Sequence, residues 1–479
     1  MRRFILPLMF FAALTACDQT SNDVNTQETA SQRSKPIASP TVNKLISMAK
    51  NGSYGYDITE SLTTEIGPRL AGSENEARAR DWAVAKFNEL GFANVRVEDF
   101  TIPGWERGIE TAEIIAPHPQ QLYVTALGGS VHTGEAGIEA EIAYFPTFDD
   151  LENAPAGGLE GKIAFISGKM KKAHDGAGYG PANRKRQRGA TEAGKRGALA
   201  VVIRSVGTDS RRFPHTGQMR YADEVAPIPI GALSAPDADQ LERILEQEET
   251  VRLKLTLTPR KTALKPSGNV IGEIIGAEKP DEIILIGGHL DSWDLGTGAI
   301  DDGAGVGITA GAAKLILDAG LKPKRTIRIV AFGAEEVGLL GAFAYAAKHK
   351  DELKNHVLAS ESDFGAERVY AMRTSLQGKP REAIEGIQSA ISQLGIEMED
   401  GSTQGGPDII PLARAGVPVF RLQQDGTDYF DLHHTPDDTF DKIDPEAMAQ
   451  NVAAWAATIW MASEADVDFR EELDSRIAE

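Results

Sequence analysis

The feature that most constrains the fold is an alternation of short apolar runs and helical patterning after about residue 268. Strands are predicted at 282–287, 326–332 and 357–361, and helices at 304–319 and 339–350. A chain that alternates in this way folds into an open, mostly parallel or mixed sheet with helices on both faces. The predicted fold class is therefore α/β, and in such sheets the binding site lies at the carboxyl ends of the strands.

Carboxylate and imidazole side chains follow the predicted strand ends. These residues are His289, Asp291, Asp301, Glu335, Glu336, Asp363, His433 and His434. The set contains no thiolate and suits a divalent cation that takes oxygen and nitrogen ligands. Two zinc ions about 3.5–4 Å apart can stabilise a hydrolytic transition state, with one carboxylate bridging them. The residues can supply the ligands, the bridging acid and a free base.

The adjacent pair Glu335-Glu336 suits a division of labour. Neighbouring residues that leave a strand point in different directions. One carboxylate can therefore bind a metal ion while the other faces the attacking water and acts as a base.

Some of the same residues also fit structural roles that involve no metal. A lone histidine such as His289 is more often a buried core residue than a ligand, and Asp301-Asp302 also fits a turn before a glycine-rich helix. Residues 305–310 match a dinucleotide fingerprint, but two aspartates precede them where a pyrophosphate would bind. These glycines are instead expected to let a helix pack closely on the sheet. The sequence has no G-x-S-x-G or H-E-x-x-H motif, so serine and thermolysin-like hydrolases lack support.

Four segments carry a recognisable pattern: Gly288-His289-Leu290-Asp291-Ser292, Asp301-Asp302-Gly303-Ala304-Gly305, Ala334-Glu335-Glu336-Val337-Gly338 and His434-Thr435-Pro436-Asp437-Asp438-Thr439. They resemble the signature blocks of the co-catalytic zinc exopeptidases, a family that includes bacterial leucyl aminopeptidases and glutamate carboxypeptidase. A further set consists of Gly67-Pro68-Arg69-Leu70-Ala71-Gly72-Ser73, Gly104-Trp105-Glu106-Arg107-Gly108, Ile203-Arg204-Ser205, Pro214-His215-Thr216-Gly217 and Gly287-Gly288-His289-Leu290-Asp291-Ser292-Trp293-Asp294. By this set the chain resembles the carboxypeptidase Q branch most, and the resemblance covers nearly all of the chain from about residue 41.

The resemblance implies two Zn²⁺ ions per chain and a role for each site residue. His289 and Asp363 are implied as ligands of one ion, Glu336 and His434 as ligands of the other, Asp301 as the bridge and Glu335 as the general base. Asp291 is expected to hold the His289 ring by a hydrogen bond. His433 stands where the wider family has tyrosine, and we expect it to polarise the carbonyl or stabilise the oxyanion. Asp408 resembles a position near the substrate cleft, and a homodimer is plausible by the same resemblance.

Residues 128–265 have a different sequence pattern, in which short β-like runs are separated by Gly and Pro. We interpret them as an inserted α+β domain that resembles a protease-associated domain, within a catalytic domain formed by residues 41–127 and 266–479. The basic run at 184–188 is expected to be a solvated helix face. His215 is expected to be structural, although it also fits a residue that reaches into the substrate cleft.

The N-terminus has the features of a targeting segment. Residues 1–16 read as a signal peptide, and Leu14-Thr15-Ala16-Cys17 resembles the lipobox of bacterial lipoproteins, in which Cys17 is lipidated. Residues 17–40 are polar and are expected to form a disordered tether. The expected location is the bacterial cell envelope, membrane-anchored and facing the periplasm, with Asp18 favouring the inner membrane.

The net charge of −20 argues against a nucleic-acid partner, because phosphate backbones favour a basic face. The predicted function is a di-zinc exopeptidase that hydrolyses dipeptides or short peptides. Two alternatives stay open: a zinc hydrolase of another small amide, and a non-catalytic receptor-like module that binds peptides. The native metal also stays open, since a carboxylate-rich site accepts Mn or Co.

Overall fold

The structure, a computed structural model, describes residues 39–471. The N-terminal predictions, including the lipidated Cys17, lie outside these residues. The strands are β1 (Ala93–Glu106), β2 (Glu110–Ala116), β3 (Gln120–Leu122), β4 (Val124–Ala126), β5 (Ile138–Phe145), β6 (Lys162–Ile166), β7 (Ala200–Arg204), β8 (Ile230–Leu233), β9 (Arg252–Leu257), β10 (Arg260–Ile274), β11 (Lys279–His289), β12 (Arg325–Phe332), β13 (His356–Glu361), β14 (Val369–Thr374), β15 (Glu397–Met398) and β16 (Phe420–Gln424).

Helices lie between several of these strands as well as before and after them. Among residues 39–471 no helix has the length and apolar content to cross a bilayer. The helices are α1 (Pro40–Lys50), α2 (Tyr54–Glu65), α3 (Glu74–Glu89), α4 (Phe148–Glu152), α5 (Tyr179–Gly194), α6 (Ala235–Leu245), α7 (Ala304–Asp318), α8 (Leu340–Lys348), α9 (Gly378–Ile391), α10 (Ile410–Arg414), α11 (Tyr429–Leu432) and α12 (Pro445–Glu464).

The first sheet has five strands in the order β1-β10-β12-β11-β13. β12, β11 and β13 are parallel, whereas β1 and β10 run antiparallel at one edge. The predicted mixed α/β fold is confirmed, although parallel pairs make up only half of this sheet. The carboxyl ends of the three parallel strands lie side by side and form the edge that carries the candidate site.

Both faces of this sheet are covered by helices, as the alternating side chains of β11 require. Ile284 and Ile286 belong to an apolar core shared with α7 and α12. Ile283 and Leu285 face a second core that includes residues of α8 and α10. Because both faces are buried, the strand reads as a continuous apolar run.

A second sheet has eight strands in the order β3-β2-β9-β5-β6-β7-β8-β4. It begins at Glu110 and ends at Leu257, so both limits lie before the predicted insertion boundaries of 128 and 265. β10, part of which was predicted to belong to the insertion, pairs with β1 in the first sheet. We call residues 110–257 the second region, and residues 39–109 with 258–471 the first region. That the second region is a protease-associated domain stays a prediction.

The two regions share one apolar core. Leu151 of α4, Ile166 of β6 and Ala190 of α5 belong to the same cluster as Ile286 of β11 and Trp455 of α12. A separate, smaller cluster fills the far side of the second sheet. Burial of this shared apolar surface fixes the second region against the first.

Ser73 caps the start of α3. The Ser73 hydroxyl accepts a hydrogen bond from the Glu76 backbone N–H at 3.1 Å, as expected of an N-cap. The Glu76 carboxylate does not reach back to complete a capping box. It is fully buried and instead accepts a hydrogen bond from Ser267 at 3.1 Å and pairs with Arg80.

Candidate metal centre

The carboxyl edge of the first sheet brings the predicted site residues together. His289 is the last residue of β11, the Glu335-Glu336 pair follows β12, and Asp363 follows β13. Asp301 lies in the turn Ala299–Gly303 just before α7, where its backbone is not helical. The loop after α11 adds His433 and His434. Strand ends that are adjacent in the sheet thus collect residues that are far apart in the sequence.

Asp301 lies between two groups of side chains. Its Oδ1 is 3.0 Å from His289 Nε2, and this nitrogen is 3.9 Å from Asp363 Oδ1. On the other side, Asp301 Oδ2 is 3.2 Å from His434 Nε2, which is 3.0 Å from Glu336 Oε2. The two carboxylate oxygens therefore face different ligand groups, which is the arrangement of a bridging carboxylate.

The same atoms fit a metal better than they fit one another. Asp301 Oδ2 and Glu336 Oε1 are buried without a hydrogen-bond partner, and buried polar atoms are rarely left unpaired. Three groups can hold an ion among the described residues: Asp301-His433-His434, His289-Asp301-Glu336 and His289-Asp302-Asp363. The donors are carboxylate oxygen and imidazole nitrogen, which suit zinc.

Electrostatics at the centre separate Asp301 from Glu335. Burial alone would raise the pKa of Asp301, but hydrogen bonds from His289 and His434 hold it well below its usual range. Burial raises the pKa of Glu335 well above its usual range, and the nearby charge of Asp363 raises it further. Asp301 is thus ionised and suited to bridging, whereas Glu335 lies where a proton is readily held.

Asp291 acts differently from the prediction. The His289 ring is held by the main-chain carbonyl of Asp291, with Nδ1 at 3.0 Å, while the Asp291 carboxylate lies 3.8 Å from that nitrogen. This carboxylate instead accepts hydrogen bonds from the backbone N–H groups of Glu335 at 3.0 Å and Glu336 at 3.3 Å. It is fully buried and fixes the loop that carries the acidic pair.

Three further buried residues shape the centre and were not predicted as site residues. Asp302 accepts hydrogen bonds from the backbone N–H groups of His289 at 2.9 Å and Gly305 at 3.0 Å. Asp438 accepts a hydrogen bond from the backbone N–H of Asp301 at 3.2 Å. Arg69 donates to the carbonyl of Leu290 at 2.5 Å. Asp302, Asp438 and Arg69 all lie in the quoted motifs, but their partners are main-chain atoms that a pattern of residue types does not reveal.

Gly305 confirms the expectation of close packing at the start of α7. A Cβ atom there would lie 1.8 Å from the carbonyl oxygen of Ser362 and 2.3 Å from Asp302 Oδ2. No side chain fits between these atoms. The glycine therefore brings α7 against the site edge of the sheet, and no nucleotide is needed to explain it.

His433 lies next to the bridge but farther from it than His434. Its Nε2 is 3.5 Å from Asp301 Oδ2, its ring stacks on that of His434 at 3.5 Å, and its Nδ1 is buried without a partner. Burial lowers the pKa of His433 well below its usual value, and the charge of His434 lowers it further. A neutral ring with one free nitrogen is therefore placed at the cleft.

The cleft in front of the centre has a volume of about 520 Å³ and is lined by both regions. The second region contributes Tyr179, Asn183 and Arg186 from α5. The prediction of a solvated basic face was wrong for Lys185 and Arg186, which are 2% and 4% exposed. Arg186 lines the cleft, whereas Lys185 donates to the carbonyl oxygen of Gly168. Arg186 Nη1 lies 3.3 Å from the Thr216 carbonyl oxygen and 3.3 Å from His434 Nδ1.

Two other arginines line the cleft. Arg421 of β16 and Arg220 of the second region have no carboxylate within ion-pair distance among residues 39–471. By contrast, Arg373, which pairs with Arg421 in the neighbouring strand, donates a hydrogen bond to the Glu399 carboxylate at 2.8 Å. Arg421 is partly buried beside Phe364, with its guanidinium 5.6 Å from the ring centre. Both arginines can receive an anionic group of a substrate.

Asp408 does not line the cleft. It is fully buried, its N–H donates to Glu361 Oε2 at 2.7 Å, and both of its carboxylate oxygens lack a partner. Burial raises the pKa of Asp408 well above its usual range, and the charge of Glu361 adds to this rise. Asp408 thus lies next to the cleft-lining Pro407 without lining the cleft itself.

Comparison with known proteins agrees with this geometry. The profile described as "Peptidase family M28" matches residues 269–459. Carboxypeptidase Q of Mus musculus is 33% identical over 425 residues, covering 88% of this chain and 89% of the mouse protein. The chain belongs to peptidase family M28. This result confirms the predicted family and, with it, the predicted class of metallo-exopeptidases.

Solved structures extend the agreement to the whole fold. A peptidase M28 precursor from Shewanella amazonensis SB2B is 50% identical, with a TM-score of 0.88, over 89% of this chain and 97% of that one. A zinc aminopeptidase from Bacillus subtilis is 22% identical, with a TM-score of 0.62, over 85% of this chain and 94% of that one, and it shares the fold.

Proposed function

We propose that this protein is a di-zinc exopeptidase that hydrolyses dipeptides or short peptides. The observation that carries the proposal is the position of Asp301, whose two oxygens face His289 on one side and His434 on the other. Asp363 would complete the first ion position, and Glu336 the second. Zinc aminopeptidase and carboxypeptidase Q are the descriptions of relatives that share the family or the fold.

Zinc, when bound, would supply Lewis-acid polarisation and favour ionisation of water near neutral pH. The residues of the chain then have separate tasks. Glu335 takes the proton of the attacking water and returns it to the leaving amine. His433 donates a hydrogen bond to the developing oxyanion from its ring nitrogen. Asp291 keeps Glu335 in place by accepting a hydrogen bond from its backbone N–H.

The cleft supports a small substrate with charged ends. Its volume of about 520 Å³ is within the usual range for small-ligand sites. The acidic centre favours an amine, and the unpaired Arg421 and Arg220 favour a carboxylate. A free dipeptide presents both groups.

The experiment uses one dipeptide in free, N-acetylated and C-amidated forms, with purified protein that is either loaded with zinc or treated with a chelator. We expect zinc-dependent cleavage of the free form, and the blocked form that fails identifies the terminus that is recognised. Bound metal without cleavage of any form would favour a hydrolase of another small amide. Neither metal nor cleavage would favour the receptor-like module.

We also propose that Cys17 anchors the protein to the bacterial cell envelope, facing the periplasm. The support is the sequence Leu14-Thr15-Ala16-Cys17 after a short apolar segment. Cells fed a labelled fatty acid should label the wild-type protein and not Cys17→Ser, and separation of inner from outer membranes tests the role of Asp18. A homodimer is proposed from the carboxypeptidase Q resemblance, and light scattering of the Cys17→Ser protein measures the mass.

A further inference from the structure

The loop that follows β7 in the second region touches the candidate metal centre without providing a ligand. It comprises residues 205–217, between β7 (Ala200–Arg204) and β8 (Ile230–Leu233), and we call it the 205–217 loop. Its residues hydrogen-bond to the main chain of the segment that carries His433 and His434. None of them is among the groups that can hold an ion in residues 39–471.

His215 is the central side chain of this loop. Its Nδ1 is 2.7 Å from the carbonyl oxygen of His433, and its Nε2 is 3.0 Å from Asp209 Oδ1. The His215 and Asp209 side chains are 0% and 2% exposed. Both contacts are to oxygen atoms, so the ring is held at each of its two nitrogens. His215 is therefore oriented by Asp209 and bonded to the main chain beside the ligand.

The backbone around His215 leaves the ring no freedom. A Cβ atom on Gly207 would lie 2.3 Å from His215 Cε1 and 2.4 Å from Nε2, so glycine is needed for the ring to lie there. The His215 N–H donates to Ser205 Oγ at 2.8 Å. These contacts fix the direction in which the ring meets the His433 carbonyl.

Thr216 holds His434 at two points. Its N–H donates to the His434 carbonyl oxygen at 3.1 Å, and its carbonyl oxygen lies 3.2 Å from His434 Nδ1, where Arg186 Nη1 also lies at 3.3 Å. With the proton on Nδ1, the Thr216 carbonyl accepts a hydrogen bond and Nε2 is left free. Nε2 is the atom that faces Asp301 and Glu336. Main-chain carbonyls commonly orient metal-binding histidines in this manner.

His434 needs this support because its backbone is strained. Its φ is +64°, in the left-handed region that residues with a Cβ rarely adopt. Such conformations cost about 1–3 kcal/mol and persist only where the surroundings fix them. The contacts from His215 and Thr216 lie on the carbonyls on either side of this residue.

We propose that the 205–217 loop positions His434 for the second metal ion, with Asp209 and His215 as the positioning residues. The second region then completes the metal centre without touching the ions. This inference rests on the proposed two-zinc function. It differs from a purely structural role, which would affect folding stability but leave the affinities of the two ions unchanged.

The test measures zinc content and affinity, independently of activity. Wild-type protein and His215→Ala are equilibrated with zinc buffered by a competing chelator, and bound zinc is counted by elemental analysis. We expect wild type to bind two ions and His215→Ala to bind the second about tenfold more weakly, as for other residues that orient ligands. His434→Ala sets the maximum loss. His118→Ala is the matched control, because His118 is an exposed histidine of the second region whose side chain is 58% exposed.

Two milder variants keep the test decisive if His215→Ala does not fold. His215→Asn places an N–H near the position of Nδ1. Its affinity for the second zinc ion should stay within about threefold of the wild-type value. Asp209→Asn removes the charge that orients the ring. Its affinity for the second ion should lie between those of His215→Ala and His215→Asn. Unchanged affinities in His215→Ala, or an equal loss in His215→Asn, would overturn the proposal. A wild-type protein that binds a single ion would refute the two-zinc function instead, and the effect of His215→Ala on that ion would still test the positioning.

Discussion

The two regions contribute to one cleft with different chemistry. The groups that can hold an ion, within the part of the chain that the structure describes, come from the first region alone, at the carboxyl ends of parallel strands. The second region lines the same cleft mostly with uncharged or basic side chains, among them Tyr179, Asn183, Arg186 and Arg220, and with one exposed acid, Asp175. The comparison teaches that the ion-binding groups follow the topology of one sheet, whereas the second region adds mainly hydrogen-bonding and basic side chains. The predictions below test that separation.

The largest effect is expected at the acidic pair of the first region. Glu335→Gln should lower kcat about 10³-fold and leave zinc binding unchanged, because the base is removed but the ligands remain. Glu336→Gln, one residue away, should lose zinc from the second position. Kinetics with parallel metal analysis separates the two. Loss of zinc in Glu335→Gln would make Glu335 a ligand and reverse the assignment.

His433 belongs to the first region, but its carbonyl is held by the second. His433→Ala should lower kcat about 10²-fold with both ions retained, as expected for loss of an oxyanion donor. A kcat within about threefold of wild type would remove it from that role. Loss of an ion would instead make His433 a ligand, in the group Asp301-His433-His434.

The two unpaired arginines test which region recognises the substrate carboxylate. Arg421→Met should raise KM for a free dipeptide about tenfold, the value of one charge-assisted hydrogen bond, and have little effect on the C-amidated form. Arg220→Met, in the second region, should have the smaller effect, since Arg220 is exposed to solvent. The reverse order would assign carboxylate recognition to the second region.

The smallest effects concern stability. Ser73→Ala at the start of α3 and Ser234→Ala at the start of α6 should each lower the free energy of unfolding by about 1 kcal/mol through loss of an N-cap. Neither should alter kcat. Because the regions share an apolar core, we expect both variants to shift the same thermal transition. Two transitions, with Ser234→Ala moving only one, would show that the regions unfold separately.

Much of the first region follows from the sequence, because β12 and β13 are fully buried and the Glu335-Glu336 pair and Asp363 stand just after them. The limits of β10 could not be predicted in this way. Its first half, from Arg260 to Pro266, is largely exposed and pairs only with β1, so apolar alternation is not required there. The antiparallel pair was therefore assigned in part to the insertion.

The site was less predictable where main-chain atoms or distant elements are involved. Asp291 was identified, but its carboxylate binds the N–H groups of Glu335 and Glu336, which a residue pattern cannot specify. Arg186 stands in a run of basic residues that is indistinguishable from a solvated face until α5 is placed against the cleft. His215 was expected to be structural, and only its distance to the His433 carbonyl suggests a connection with the metal centre.

The shared apolar core also limits what can enter the molecule. Ile166 and Ala190 of the second region pack in the same cluster as Ile286 and Trp455 of the first. Swinging the second region away as a rigid lid would expose that cluster to water, which is costly. Access is therefore governed by size. We expect the end of an extended peptide to enter a cleft of about 520 Å³ and the compact surface of a folded protein to be kept out of it.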